Sequence, residues 1–237
     1  MAGHSHSANI AVRKGKQDAV RAKLFSKLTR YIMIAARNGG GDPDTNLRLR
    51  YAILKARSVS MPKDIIERGI KKGTGDLEGV SYEEITYEGY GPHGVGVMVE
   101  CQTDNRNRTA PEVRLMFKSN NGNLGETGSV AWMFDRVCQI EATKAGEFDP
   151  EEEAIEAGAN EVHRDESSFT FYGSPEELDA IRAALGKRGW TVVSAELSFK
   201  AKNPAQLNEE QKKEVVALLS ELDEHDDSHR VHATLEE

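Results

Sequence analysis

The stretch SYEEITYEGYGPHGVGVMVEC, residues 81–101, is where the chain changes its period. Upstream, apolar residues recur every three or four positions. Inside it they alternate with polar ones on either side of a Gly/Pro turn, which predicts two strands joined as a hairpin. A chain helical up to this point and extended from it belongs to the α+β class. Gly89-Tyr90-Gly91-Pro92-His93-Gly94 also fits the GxGxxG spacing of dinucleotide sites. That motif needs a helix to follow and receive the pyrophosphate, whereas VGVMVE continues as a strand and Pro92 interrupts the turn. A glycine-rich hairpin is the better reading.

Working upstream, Leu24, Phe25, Leu28, Ile32, Ala35 and Ala36 fall on one face of a helix over residues 17–37, with Lys23, Lys27, Arg30 and Arg37 projecting from the other. Asn38-Gly39-Gly40-Gly41 and Asp42-Pro43 should end it. A second helix is expected from near Thr45, with Leu49, Ile53 and Ala56 in its core. A third follows Pro62, with Ile66 and Ile70 inward and Arg68, Lys71 and Lys72 in its last turns. Three short helices joined by tight turns make a small bundle.

Downstream, residues 109–121 read as a helix with Thr109 and Glu112 fitting a capping box, and VAWMF and DRVCQIEA read as extended. From about residue 80 the order is therefore β-β-α-β. A short acidic helix over 150–157, the segments ANEVHRDE and SSFTFYG, a helix over 175–187 and the strand TVVSAELSF suggest a second α+β unit. A helix over 208–224 and a strand around 229–233 close the chain.

Charge is divided unevenly. The first 75 residues hold 16 Lys/Arg and 5 Asp/Glu, net +11, so in a chain of net charge −8 the remainder carries −19. A basic block on an acidic body is the footprint of a surface for a polyanion, against the plainer reading of a solvated charged face. No run is long and apolar enough to span a bilayer, and the N-terminus has no apolar core of a secretory signal, so a cytoplasmic protein without a membrane role is expected. Cys101 and Cys138 lie far apart in apolar strand contexts and are expected as buried, reduced thiols. His225, His229 and His232 with Asp223, Asp226 and Asp227 could gather a metal, but their spread favours a polar C-terminal tail, and no metal or cofactor is expected. Thr103-Asp104-Asn105-Arg106-Asn107-Arg108-Thr109 either grips phosphates or bases or supplies turns and caps locally. No nucleophile, base and orienter stand together in the sequence, so an enzyme is not expected.

Several blocks of unusual wording occur in order: MAGHS, ANI, AARNGGGDP, RLR and AILKA, MPKD, IERGIKKGTG, YEGYGPHGVGVMVE, TDNRNRT and NLGETGSVAWMF. Together they resemble the YebC family over essentially the whole chain. The resemblance implies a basic helical domain over 1–79, then two small α+β sandwich domains. The third, 135–203, is inserted into the second, which comprises 80–134 and 204–237. It also implies a regulator, because relatives bind promoter DNA, while others act on the ribosome and ease synthesis of proline-rich stretches. Ser5-His6-Ser7 and Ala11-Val12 depart from the family's more basic wording, which moves the expected contact from the extreme N-terminus to the helices.

The expected function is thus a non-enzymatic nucleic-acid-binding regulator of DNA-binding transcriptional type. Its phosphate contacts are expected at Lys23, Lys27, Arg30, Arg48, Arg50, Lys55, Arg57, Arg68, Lys71 and Lys72, with Arg106 and Arg108 as weaker candidates. Ribosomal RNA is the alternative partner, with a ribosome-associated translation factor the alternative function. In a further reading, acidic surfaces such as residues 150–157 contact polymerase or a translation factor.

Overall fold

The computed structural model describes residues 6–235, with side chains from residue 19 onward. Helix α1 (His6–Gly39) is joined to α2 (Leu47–Ser58) and α3 (Lys63–Thr74). It ends where Gly40 takes φ +87°, a conformation that glycine enters without a Cβ penalty. Asn46 then ties the two helices together. Its side chain accepts the Leu49 N–H, capping α2, and its amide donates to the carbonyls of Ala35 and Gly40, each at 2.8 Å. The bundle core holds Leu28, Ile32, Leu49, Ile53, Ala56 and Ile66. Leu24, placed on the same stripe by its spacing, is instead 37% exposed. The reason is length: α1 runs 34 residues and α2 and α3 only 12 each, roughly 51 Å against 18 Å, so the helix outreaches its neighbours. Gly73 permits the crossing of α3 on α1, since a Cβ there would stand 2.4 Å from the Met33 carbonyl oxygen.

The hairpin forms as β1 (Glu83–Tyr90) and β2 (Gly96–Thr103), followed by α4 (Arg106–Ser119) and the two-residue β3 (Asn123–Leu124). Helix α4 starts before the expected Thr109, because Asn105 is its cap and accepts the Arg108 N–H at 3.2 Å. Of the segment VAWMF only Phe134, which opens the following strand, is extended. Residues 131–133 form a 3-10 turn, for the Glu88 carboxylate accepts the N–H groups of Gly128, Val130 and Ala131, which removes two of the turn's N–H groups from any ladder. Burial opposes ionisation there, yet those three donors hold the Glu88 carboxyl below its ordinary value.

The next strand, β4 (Phe134–Thr143), joins a different sheet. With α5 (Pro150–Ala157), β5 (Glu161–Arg164), β6 (Phe169–Gly173), α6 (Leu178–Lys187) and β7 (Thr191–Ala201) it builds a four-stranded antiparallel sheet of order β5-β6-β4-β7. Cys138, Ile140, Phe171, Ile181, Leu185 and Trp190 form its core. The chain then returns through α7 (Glu209–Glu224) to β8 (Ser228–Ala233), which pairs with β2 and completes the first sheet, β3-β1-β2-β8. The strand expected around 229–233 is thus the sheet edge β8, and the His225 to His232 stretch is ordered rather than a polar tail, with Asp227 and His232 buried. Helices α4 and α7 bury one face of this sheet through Val97, Val99, Val113, Phe117 and Leu218. On its other face Met98 packs with Val130 and Phe134, so β2 is buried on both sides. Both cysteines are buried and free.

Candidate nucleic-acid interface

The basic face of α1 does not stand open to solvent along its length. It lies against the turn between α7 and β8, where the sequence has Asp223, Asp226 and Asp227. Lys23 pairs with Asp226 at 3.4 Å, and Lys27 donates to the Asp223 carbonyl oxygen. Burial is the main reason that the Lys27 ammonium falls below its ordinary pKa. Arg30 donates to the Asp226 carbonyl at 2.7 Å and to the Asp227 carboxylate at 2.9 Å, with its guanidinium 5.4 Å from the Tyr82 ring centre.

Asp227 is the hub of this seam. Besides Arg30 it meets Arg108 at 2.7 Å and the hydroxyls of Thr109 and Thr103 at 2.8 and 3.1 Å. Burial pushes its pKa up, but the bonds from Arg108, Thr109 and Thr103 outweigh that and hold the carboxyl below its usual range. Only Thr103 and Thr109 of the run are buried, and residues 104–108 stay exposed, yet the run is engaged within the fold: Asn105 caps α4, and Thr103, Arg108 and Thr109 surround one carboxylate. Asp104 also pairs with Arg108, and Arg106 with Glu83. Nothing in the local pattern of the run named Asp227 as the acceptor, because it lies more than a hundred residues away.

Other candidate cations meet acids or carbonyls too. Arg48 forms a two-pronged pair with Glu84, Lys55 meets Glu141 at 3.6 Å, and Arg50 donates to the carbonyls of Pro43 and Asp44. Arg57, Arg68, Lys71 and Lys72 differ. All four are exposed and make no ion pair with a described residue. Positions 68, 71 and 72 share one face of α3, opposite Ile66 and Gly69, and Lys71 and Lys72 stand in the last turn, where the helix dipole favours cations. Lys72 also borders a groove of about 520 Å³ between α1 and α3, with Gly73, Gly75, Ser81 and Tyr82. Arg37 lines the same groove and bonds to Ser81. The sequence showed Arg37 on the polar face but did not single it out, because the groove forms only when α3 and residues 79–82 fold back.

The three units also meet around Tyr31. Its ring stacks on His229 at 4.6 Å, with the Arg48 guanidinium 5.2 Å from its centre. Though the His229 ring keeps some exposure, its Nε2 is enclosed and has no partner among the described residues. Burial first, then Arg230, pushes this imidazole down to about 3, which keeps it neutral. His225 and His232 meet Glu112 and Glu100 instead, and no cluster able to hold a metal occurs among the described residues. No described helix is long and apolar enough to cross a membrane.

Comparison with known proteins places this architecture. Residues 5–76 match the model of the TACO1/YebC protein N-terminal domain, and residues 82–235 that of the TACO1/YebC second and third domain. A probable transcriptional regulatory protein of Bdellovibrio bacteriovorus is 59% identical over 98% of this chain and 100% of its own length. One from Desulfotalea psychrophila is 48% identical, covering 100% of this chain and 96% of its own. The crystal structure of a conserved hypothetical protein from Aquifex aeolicus superposes with a TM-score of 0.86 at 46% identity, over 92% of this chain and 91% of that one. With both family models matched in order and relatives aligned along nearly their whole length, the chain belongs to the TACO1/YebC family.

Proposed function

We propose that the protein is a non-enzymatic transcriptional regulator that binds DNA through the phosphate backbone, using Arg57, Arg68, Lys71 and Lys72 with Arg37 beside them. The observation that carries this reading is the face of α3, where three cations stand exposed without an acid partner while Lys23 and Arg30 pair with aspartates and Lys27 is tied to a backbone carbonyl. The relatives named probable transcriptional regulatory proteins support the regulatory part. Lysines and arginines of this kind displace condensed counterions, so affinity falls steeply with salt. The test is duplex binding across a salt series for the wild type and for Arg68→Glu/Lys71→Glu/Lys72→Glu. Loss of affinity, with the log–log slope shallower by roughly 2.7 for three lost contacts, is expected. An unchanged slope overturns the assignment.

Ribosomal RNA is the second reading, favoured by where these cations lie. Arg57, Lys71 and Lys72 occupy the last turns of α2 and α3 and Arg68 lies mid-helix, whereas at the helix starts Arg48 is tied to Glu84 and Lys63 to Glu67. A recognition helix reads bases from an exposed start, while backbone and shape reading serve an RNA helix equally well. Gradient fractionation of lysate with DNase and RNase arms separates the two. RNase-sensitive migration with ribosomal particles selects RNA, and DNase-sensitive migration selects DNA.

A further inference from the structure

The carbonyl oxygen of Ser129 accepts two hydrogen bonds from aromatic side chains, the Trp132 Nε1–H and the Tyr90 hydroxyl, each at 3.0 Å. Trp132 is 66% exposed and Tyr90 36%. The loop beneath them is held firmly: the Glu88 carboxylate takes the N–H groups of Gly128, Val130 and Ala131 at 2.8, 2.9 and 2.8 Å. Val130 is fully buried beside Met98 and Phe134, which anchors the turn from below. An indole left in water on so fixed a turn adds little burial to the fold.

Two features say what such a surface suits. Both polar handles are consumed inside the loop, so each ring offers outward chiefly its π face and its edge, which favours a flat partner over a directional hydrogen-bonding one. The surroundings also lack the apolar patch of a protein-interface core. Glu126, Thr127, Gly128 and Ala131 are exposed, while of the loop's other large apolar side chains Val130 and Phe134 are buried and Met133 is partly buried against them. We propose that Trp132 and Tyr90 form a stacking platform for unpaired nucleobases, sequence-tolerant and distinct from the phosphate-gripping cations of α2 and α3. This rests on the nucleic-acid reading above. It adds a preference for single-stranded segments, because the bases of a duplex keep their faces stacked on one another.

The protein carries its own reporter, since of its two tryptophans Trp190 is only 4% exposed. The full chain is titrated at low salt with a single-stranded RNA 12-mer, a single-stranded DNA 12-mer and a matched duplex. Tryptophan emission is read for the wild type, and anisotropy of labelled strands for Trp132→Ala and Trp132→Phe. Circular dichroism checks that the variants fold. Single strands are expected to quench the wild type but not Trp132→Phe. Trp132→Ala should bind them roughly 5- to 150-fold more weakly, with Trp132→Phe between, the salt slope unchanged and duplex affinity within about two-fold. The strand that responds more strongly, RNA or DNA, identifies the source of the bases. Binding with neither quenching nor an effect of Trp132→Ala overturns the platform and leaves the cationic interface standing. No binding of any strand at low salt overturns both.

Discussion

Arg30 and Asp227 lie 197 positions apart in the chain, and their side chains meet at 2.9 Å with 14% and 5% of their surfaces exposed. One residue belongs to the basic helical bundle and the other to the edge of the first sheet, so the pair fixes how the two dock. Replacing Asp227 with Ala leaves Arg30, Arg108 and two threonine hydroxyls without their shared acceptor. A loss of about 3 kcal/mol in urea denaturation is expected, and a smaller one for Asp227→Asn, which keeps the shape and accepts some of the bonds. Asp227→Ala unfolding within about 0.5 kcal/mol of wild type contradicts the hub.

The same seam hides cations from a polyanion. Asp226, whose side chain is 77% exposed, holds Lys23 without being buried, so Asp226→Asn should release that lysine while sparing the fold. Duplex binding is expected to tighten and its salt slope to steepen by up to roughly 0.9, one added phosphate contact. A slope equal to wild type places Lys23 away from the bound nucleic acid.

In the second sheet Glu153 accepts from Arg188 and from the Trp190 indole at 2.7 Å, and pairs with Lys144 at 3.1 Å. The bonds from Arg188 and Trp190 hold its carboxyl down to about 2, against roughly 4.3 when unfolded. A depressed carboxyl contributes stability that is present above the unfolded value and is lost as pH falls toward the folded one. Unfolding followed by Trp190 emission in a Trp132→Phe background should therefore show stability falling between about pH 5 and 2. Glu153→Gln should be less stable at pH 7 and lose less over that window. A parallel acid profile in the variant removes Glu153 as the cause.

Gly73→Ala forces a methyl to 2.4 Å from the Met33 carbonyl oxygen, and backbone cannot yield as a side chain can. A loss of about 1 to 3 kcal/mol is expected in thermal or urea unfolding. Gly69→Ala meets side chains alone, Ile32 Cγ2 at 3.3 Å and Thr29 Cγ2 at 3.6 Å, so it should cost less or even stabilise α3 through higher helix propensity. The two alanines having equal effects contradicts the close crossing.

Local pattern made the bundle and most strands legible. Leu49, Ile53 and Ala56 are buried on one face of α2 as their spacing requires, and α5 runs Pro150–Ala157 because Asp149 caps it and Gly158 can take φ +83°. The change of period gave the α+β class and the resemblance carried the family, and the fold bears out an α+β protein with three N-terminal helices and two antiparallel sheets. What pattern could not supply depended on distant partners. VAWMF alternates like a strand, but Glu88, forty-odd residues upstream, takes its N–H groups. Trp132 falls inside that apparent strand, and its exposure follows only once the turn is formed.

The helix faces, the change of period at residues 81–101 and the basic block are written in local sequence, because each is a matter of spacing or composition within a short stretch. The tertiary structure alone decided which of those charges remain available. Whether a lysine meets a phosphate or an aspartate depends on what folding brings within a few ångströms of it, and here the acidic turn at 223–227 closes on α1 while the outer face of α3 stays open.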